Sequence, residues 1–268
     1  MIHEFSLLSL NTFGIPFFLS WGRLIRLAKH LERLSPTVIC LQEIQQNAYT
    51  PLLIRCLPTY PYRVIFPHIY APKGGLGIFS LVPLTQQWFA SYPDRGLRYF
   101  VTFADWALFK GVLVSRLQTK GVDVFVLNTH MNANYSGDWH PRNPLALVQR
   151  TQIHWISALL EKLPVDALII LCGDLNFPRA SYLYEELVVK NGLTDPLRDD
   201  PRPTYRPFPM VPSRWKTSLD YILYRLPHEK SFQTQADIIP IEDSSQKNIF
   251  RRFLTDHCAL KLDISITS

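Results

Sequence analysis

GVLVSRLQTKGVDVFVLNTH, residues 111–130, places two apolar, β-branched runs in succession with charged residues and glycine between them. The gap is too short for a crossover helix, so the runs read as consecutive antiparallel strands. The same texture extends upstream through YRVIF (62–66), LGIFSL (76–81) and YFVTFADWALF (99–109), each read as a strand. Further out the pattern changes. Towards the N-terminus, Ile2–Asn11 reads as a strand and Arg23–Leu34 as a helix, with Leu24, Leu27, Leu31 and Leu34 at helical spacing. TVICLQEI (37–44) is a buried strand, and Asn47–Leu57 a weaker helix. Towards the C-terminus, Leu145–Lys162 is a helix with Pro144 near its first turn. VDALIILCGDLN (165–176) is a buried strand, Ser181–Lys190 a helix, and 199–216 a Pro- and Arg-rich loop. SLDYILYR (218–225), ADIIPI (236–241) and CALKLDI (258–264) are closing strands. Strands in series with interspersed helices predict an α/β protein of two stacked mixed or antiparallel sheets flanked by helices, in a single domain over residues 1–268. A doubly wound parallel fold would alternate strand and helix more steadily.

Composition bounds the rest. The 268 residues are 47% apolar and 19% charged, which excludes disorder. A net charge of +6 leans mildly towards polyanions or anionic membrane surfaces without choosing between them. Cys40, Cys56, Cys172 and Cys258 lack zinc-type spacing and suit a reducing compartment. No apolar run approaches the roughly 18 residues of a membrane span. With no leader peptide recognised, a cytoplasmic or peripheral membrane location and a monomer are expected.

Polar residues fall where apolar strands end: Asn11, Glu43, His130, Asp174, Asn176, Asp220, Asp256 and His257. Singly, each has a bland reading. Glu43 could be a solvated carboxylate, His130 a core histidine, GDLN a turn and Asp256 a turn cap. Jointly, converging strand ends would form a pocket rich in carboxylates and amides with two histidines. Oxygen donors suit Mg²⁺ or Mn²⁺ better than Zn²⁺. A hard cation with a histidine base is what phosphodiester hydrolysis requires.

LSLNTF, CLQEI, NTH, LCGDLN, SLDYI and LTDHCAL, in this order from Asn11 to His257, resemble the endonuclease/exonuclease/phosphatase superfamily. LNTFGIP, KGGLGIFS, THMNANY, IILCGDLN and RPFP ahead of SLDYILY, with Asp105 and Lys110 in ADWALFKG, are similar to the neutral sphingomyelinase branch. The resemblance implies a four-layer α/β/β/α sandwich and a Mg²⁺-dependent phosphodiesterase. It implies Glu43 as principal metal ligand with Asn11 close by, and Asp174 and Asn176 orienting water and phosphate with metal contacts. It makes His257 the general base held by Asp220, His130 a donor to phosphoryl oxygens, and Asp256 a support for the metal or the histidine. Lys110, positioned by Asp105, would face a phosphate oxygen or the pocket wall; a strand-end lysine in water is the alternative.

Two substrates follow. For a phospholipid, Phe17, Phe18 and Trp21 in IPFFLSW would touch the membrane, or else cover the edge of the core. The alternative is a Mg²⁺-dependent nuclease or nucleotide phosphatase, in which Arg202, Arg206, Arg214 and Lys216 would track phosphates, with Tyr205, Phe208 and Trp215 stacking on bases.

Overall fold

A computed structural model describes residues 5–16, 20–96, 102–206, 216–227 and 231–267. Its elements run β1 (Phe5–Asn11), α1 (Ser20–Leu34), β2 (Val38–Gln42), α2 (Tyr49–Cys56), β3 (Tyr62–Val64), β4 (Gly77–Ser80), β5 (Thr85–Ser91) and α3 (Phe103–Ala107). They continue with β6 (Gly111–Thr119), β7 (Val122–His130), α4 (Pro144–Leu160), β8 (Leu168–Asp174), α5 (Tyr182–Tyr184), β9 (Asp220–Arg225), β10 (Ser231–Glu242), α6 (Ile249–Arg252) and β11 (Phe253–Thr267).

The strands form a six-stranded sheet, β10-β11-β1-β2-β4-β3, and a five-stranded sheet, β5-β6-β7-β8-β9. Each is mixed: β1–β2 and β7–β8 are parallel, and the other neighbours antiparallel. The period-2 pleat explains why the central strands read as continuous apolar runs. In β8, Leu168, Ile170 and Cys172 face the core between the sheets, while Ile169 and Leu171 join a second core with Ile153, Ile156 and Leu160 of α4. In β2, Val38 and Cys40 face the other sheet, while Ile39 and Leu41 pack with Leu24, Leu27 and Leu31 of α1. Both faces of each sheet are therefore covered, and the layers run α/β/β/α as expected.

A buried amide pair ties the sheets together near the polar strand ends. Gln42 Nε2 donates to Asn128 Oδ1 at 2.7 Å, and Asn128 Nδ2 donates to the carbonyls of Leu41 (3.0 Å) and Gly77 (3.1 Å). An amide buried without such partners would cost several kcal/mol, so the pairing fixes the offset of the two sheets.

Two expectations need correction, and one strand was not anticipated. YFVTFADWALF is not a strand where described: Phe103–Ala107 is a short helix, and 97–101 lie outside the described residues. A short apolar run fits a buried helix turn as well as a strand, so its composition misleads. Thr85–Ser91, unassigned in the sequence reading, is edge strand β5; its residues are exposed or half-buried, which removes the apolar signal. The expected helix Ser181–Lys190 holds only α5 before widening into a π-turn over Glu185–Val189.

Candidate active site

In the first sheet, parallel pairing sets Asn11 beside Gln42, so β1 and β2 end level. Glu43 follows with φ 58°, a left-handed conformation that turns its side chain over the strand ends. Gly14 makes this turn possible, since a Cβ there would lie 1.9 Å from the Glu43 carbonyl oxygen. Thr12 Oγ1 donates to the carbonyls of Gln42 (2.9 Å) and Glu43 (3.1 Å), and Ile44 N donates to Gly75 O (2.8 Å).

In the second sheet, register places His130, Asp174 and Asp220 in one row across β7, β8 and β9. Gly173 is required there by close approach within a strand, not by a turn: its φ is 136° and a Cβ would meet Thr129 O at 1.8 Å. The row faces the first sheet through Asn11, whose Nδ2 donates to Glu43 Oε1 at 3.1 Å and Asp174 Oδ2 at 3.0 Å. Asn11 thus presents its amide nitrogen to the carboxylates, while its oxygen accepts from Phe13 N. Asn176 N donates to Asp174 Oδ1, and its side chain to Met131 O, both at 3.0 Å.

β11 carries Asp256 and His257 into the same pocket. His257 Nδ1 lies 2.9 and 3.0 Å from the two oxygens of Asp220. Its Nε2 lies 3.8 Å from Asp174 Oδ2 and 3.9 Å from Asp256 Oδ1. Asp220 is held in turn by Thr204 Oγ1 at 2.6 Å. His130 Nε2 stands 3.6 Å from Asp174 Oδ2 and 4.0 Å from Glu43 Oε1.

The electrostatics follow from burial. It raises the carboxyl pKa values of Glu43 and Asp256, and pushes Asp174 up to about 7. Burial also opposes charge on His257, but Asp220, Asp256 and Asp174 outweigh it and raise that imidazole well above its ordinary value. Burial, with Lys110 and His257 nearby, pushes His130 well below its ordinary value, so it is neutral at pH 7.

These residues fit a hard divalent cation. Glu43 Oε2 and Asp256 Oδ1 are buried without a hydrogen-bond partner. One ligand atom each of Glu43, His130 and Asp174 lie mutually within 4.8 Å, as do those of Asp174, Asp220 and His257. Buried, partnerless carboxylate oxygens are what a bound cation would satisfy.

Eight of the expected residues therefore converge: Asn11, Glu43, His130, Asp174, Asn176, Asp220, Asp256 and His257. Lys110 is no solvated strand-end lysine. It is fully buried, with Nζ 2.7 Å from Asp105 Oδ1 and 2.8 Å from Met131 O, so it reaches the site through the residue after His130. Phe17 and Phe18 lie outside the described residues; Trp21 is 46% exposed on α1, edge-on to Tyr49. Of the basic loop, Arg202 is paired with Asp200 and Asp237, and Arg206 with Glu242. Arg214, Phe208 and Trp215 lie outside the described residues, and Tyr205 packs 5.1 Å from the His257 ring. All four cysteines are free thiols, and among the described residues no helix is long and apolar enough to cross a membrane.

Two site residues escaped the sequence reading. Thr204 sits in an irregular loop with no motif around it. Arg23 looks like one polar residue on an amphipathic helix. In the fold it is buried and donates to the carbonyls of Thr12, Phe13 and Leu254, joining the segments that carry Asn11 and His257. Burial lowers its pKa to about 10, still charged at pH 7, against the pull of Asp256 and Glu43.

The sequence matches the Endonuclease/Exonuclease/phosphatase family over residues 8–257. An inositol phosphosphingolipids phospholipase C of Saccharomyces cerevisiae is 31% identical over 163 residues, 59% of this chain and 33% of that protein. The chain spans only 33% to 45% of the length of the curated relatives it matches. Sphingomyelinase C of Streptomyces griseocarneus superposes with TM-score 0.70 at 22% identity, over 97% of this chain and 98% of that one. D. rerio TDP2 complexed with a single-strand DNA product superposes with TM-score 0.75 at 17% identity, over 97% and 98%. At these identities the two structures share the fold.

Proposed function

The chain belongs to the Endonuclease/Exonuclease/phosphatase family, and from that premise we propose that it hydrolyses the head-group phosphodiester of a phospholipid in the manner of a phospholipase C. It does so as a single domain over residues 1–268 and as a monomer. Glu43 would be the principal ligand of a Mg²⁺ ion (Mn²⁺ as substitute), with Asp174, Asn176 and Asp256 contributing, and Asn11 would support the site by holding the Glu43 and Asp174 carboxylates through its amide nitrogen. The bound cation supplies charge neutralisation at a non-bridging phosphate oxygen.

The observation that carries this reading is the Asp220–His257 couple at 2.9 Å, aimed at a pocket of buried carboxylates. With Nδ1–H donated to Asp220, Nε2 is the free acceptor that takes a proton from the attacking water. The new P–O bond forms from that water; the bond to the lipid alcohol breaks, its oxygen takes a proton from solvent, and His257 returns the proton it took to solvent, so one water is consumed in all. Neutral His130 donates to the phosphoryl oxygens as charge builds there. Lys110, held by Asp105, positions the Met131 backbone beside His130 and places a positive charge behind it. Two of the three carboxylates that raise the His257 pKa belong to the proposed cation site, so that shift is a property of the cation-free protein.

Phospholipid is favoured over nucleic acid on two grounds. The yeast relative is named for a phosphosphingolipid substrate. Two cations of the loop that would track a nucleic acid backbone, Arg202 and Arg206, are already paired with carboxylates. Parallel assays of sphingomyelin, inositol phosphosphingolipid, lysophospholipid, plasmid DNA and short RNA, with Mg²⁺ and with EDTA, test the reading. Phospholipid cleavage dependent on the metal is expected. Efficient plasmid nicking with every phospholipid intact would replace it with the nuclease reading.

A further inference from the structure

Beside the pocket, four large apolar side chains stand in solvent: Ile69 (85% exposed), Tyr70 (44%), Phe103 (56%) and Tyr135 (59%). They are far apart in sequence, but contacts link them into one arc. Asn47, four residues after Glu43, donates from its backbone to Tyr70 O (2.8 Å) and from its side chain to His68 O (3.0 Å) and Ile69 O (3.2 Å). The His68 ring lies 4.9 Å from that of Phe109, which immediately precedes Lys110. Phe103 stacks 5.7 Å from Trp106 on α3. From the same helix, Asp105 accepts from Ala133 N at 3.2 Å, two residues before Tyr135. These contacts tie the four side chains to the segments that carry Glu43, Lys110 and His130.

Two cations of this surface stack on its aromatic rings, while Asp94 and Asp138 are held by backbone and side-chain N–H groups of their own turns. Lys73 lies over the Phe89 and Phe109 rings, and Arg95 over Trp106 and Phe109. Neither pairs with a carboxylate among the described residues, whereas Asp105 is neutralised by Lys110. Exposed tyrosine and phenylalanine beside unpaired cations suit a surface that is apolar within and anionic at the boundary. A monomer in water has little use for such a patch.

We propose that Ile69, Tyr70, Phe103 and Tyr135 dock this face on a phospholipid bilayer, with Lys73 and Arg95 giving preference to anionic lipid. This surface deepens the phospholipid reading and rests on it for its biological sense. It is distinct from the Phe17, Phe18 and Trp21 segment. Because the catalytic groups are buried, a substrate phosphate must rise into the pocket. An arc seated at the head-group level shortens that path and can leave the acyl chains in the bilayer.

Flotation with vesicles of phosphatidylcholine, with and without phosphatidylserine and in EDTA to stop turnover, tests the surface independently of catalysis. Ile69→Ser and Phe103→Ser are each expected to weaken vesicle binding about tenfold, the scale of withdrawing one large apolar side chain. Lys73→Gln with Arg95→Gln should flatten the gain from phosphatidylserine. Val165→Ser, 74% exposed but before the opposite end of β8, should bind as wild type. Hydrolysis of a short-chain phospholipid dissolved as monomers should be unchanged in Ile69→Ser and Phe103→Ser. The proposal is overturned if wild type ignores vesicles, if the arc variants bind them as wild type does, or if those variants instead lose self-association or oligonucleotide binding. Wild type that binds vesicles through the arc but cleaves no phospholipid would keep the surface and refute the proposed activity.

Discussion

At the floor of the pocket, His130, Asp174 and Asp220 share one register row across three neighbouring strands and are almost fully buried. At its rim, Ile69, Phe103 and Tyr135 stand exposed outside the sheets, held by loop contacts and a short helix. The floor is set by strand pairing, where a one-residue slip would turn every side chain to the other face. The rim has no register to obey, and its residues can vary with little cost to the fold. On the proposed reading, reaction chemistry belongs to the sheets, and choice of substrate surface to the loops between them.

That division can be broken most severely at the floor. His257→Ala should lower kcat at least about 100-fold, the lower edge of what a positioned base contributes. Near-normal kcat in a folded variant would remove His257 from its role. Asp220→Asn should cost about 10- to 100-fold in activity, because the imidazole stays but loses the charged acceptor that fixes its tautomer and stabilises its protonated form. Steady-state kinetics on monomeric substrate separates both effects from the rim, whose variants should change only vesicle-dependent rates.

A second test uses protons. Burial raises the folded-state pKa values of Glu43, Asp174 and Asp256 above their unfolded ones, Asp174 to about 7. A carboxyl with a raised folded pKa takes up its proton in the folded state first, so folding is favoured as pH falls through the window from about 7 to about 4. His257 acts in the same direction, because its raised pKa stabilises the fold at low pH and loses that contribution as pH rises. His130 acts in the opposite sense, because its lowered pKa makes the unfolded state take up that proton first. The three carboxyls and His257 together outweigh this one group, so in EDTA the protein should melt higher near pH 6 than near pH 8, and added Mg²⁺ should recover more stability at pH 8. A melting temperature that falls on mild acidification in EDTA would show that the carboxylates are not held as described.

The smallest effect lies below the floor. Asn128→Leu removes the amide that joins Gln42, Leu41 and Gly77 across the sheets and leaves Gln42 Nε2 short of a partner. Denaturant unfolding should show a loss of about 1–3 kcal/mol, with activity reduced much less than in His257→Ala.

The same contrast explains what the sequence revealed. Glu43, His130, Asp174 and His257 were legible because each closes or adjoins an apolar run, where a polar residue is conspicuous. The layers were legible because β1, β2, β7 and β8 are apolar on both faces. Arg23 was hidden, since an arginine on an amphipathic helix normally points to water. Gly173 resembled turn chemistry because the close approach of Thr129 O exists only after β7 and β8 pair. Lys110 was ambiguous until α3 delivered Asp105 to it, and that helix was itself misread as a strand. The rim arc has no local signature, because His68–Phe109 and Asp105–Ala133 are long-range contacts.

The central claim is a cation-dependent hydrolytic centre built on Glu43. The most direct measurement is phosphodiester turnover by wild type and Glu43→Gln across a Mg²⁺ titration that starts from exhaustively chelated protein, with folding checked by circular dichroism. Wild type should be inactive without metal and recover as Mg²⁺ is added, while folded Glu43→Gln stays crippled at the concentration that saturates wild type. Full turnover of wild type in EDTA, or normal Mg²⁺-dependent turnover by Glu43→Gln, would contradict the account.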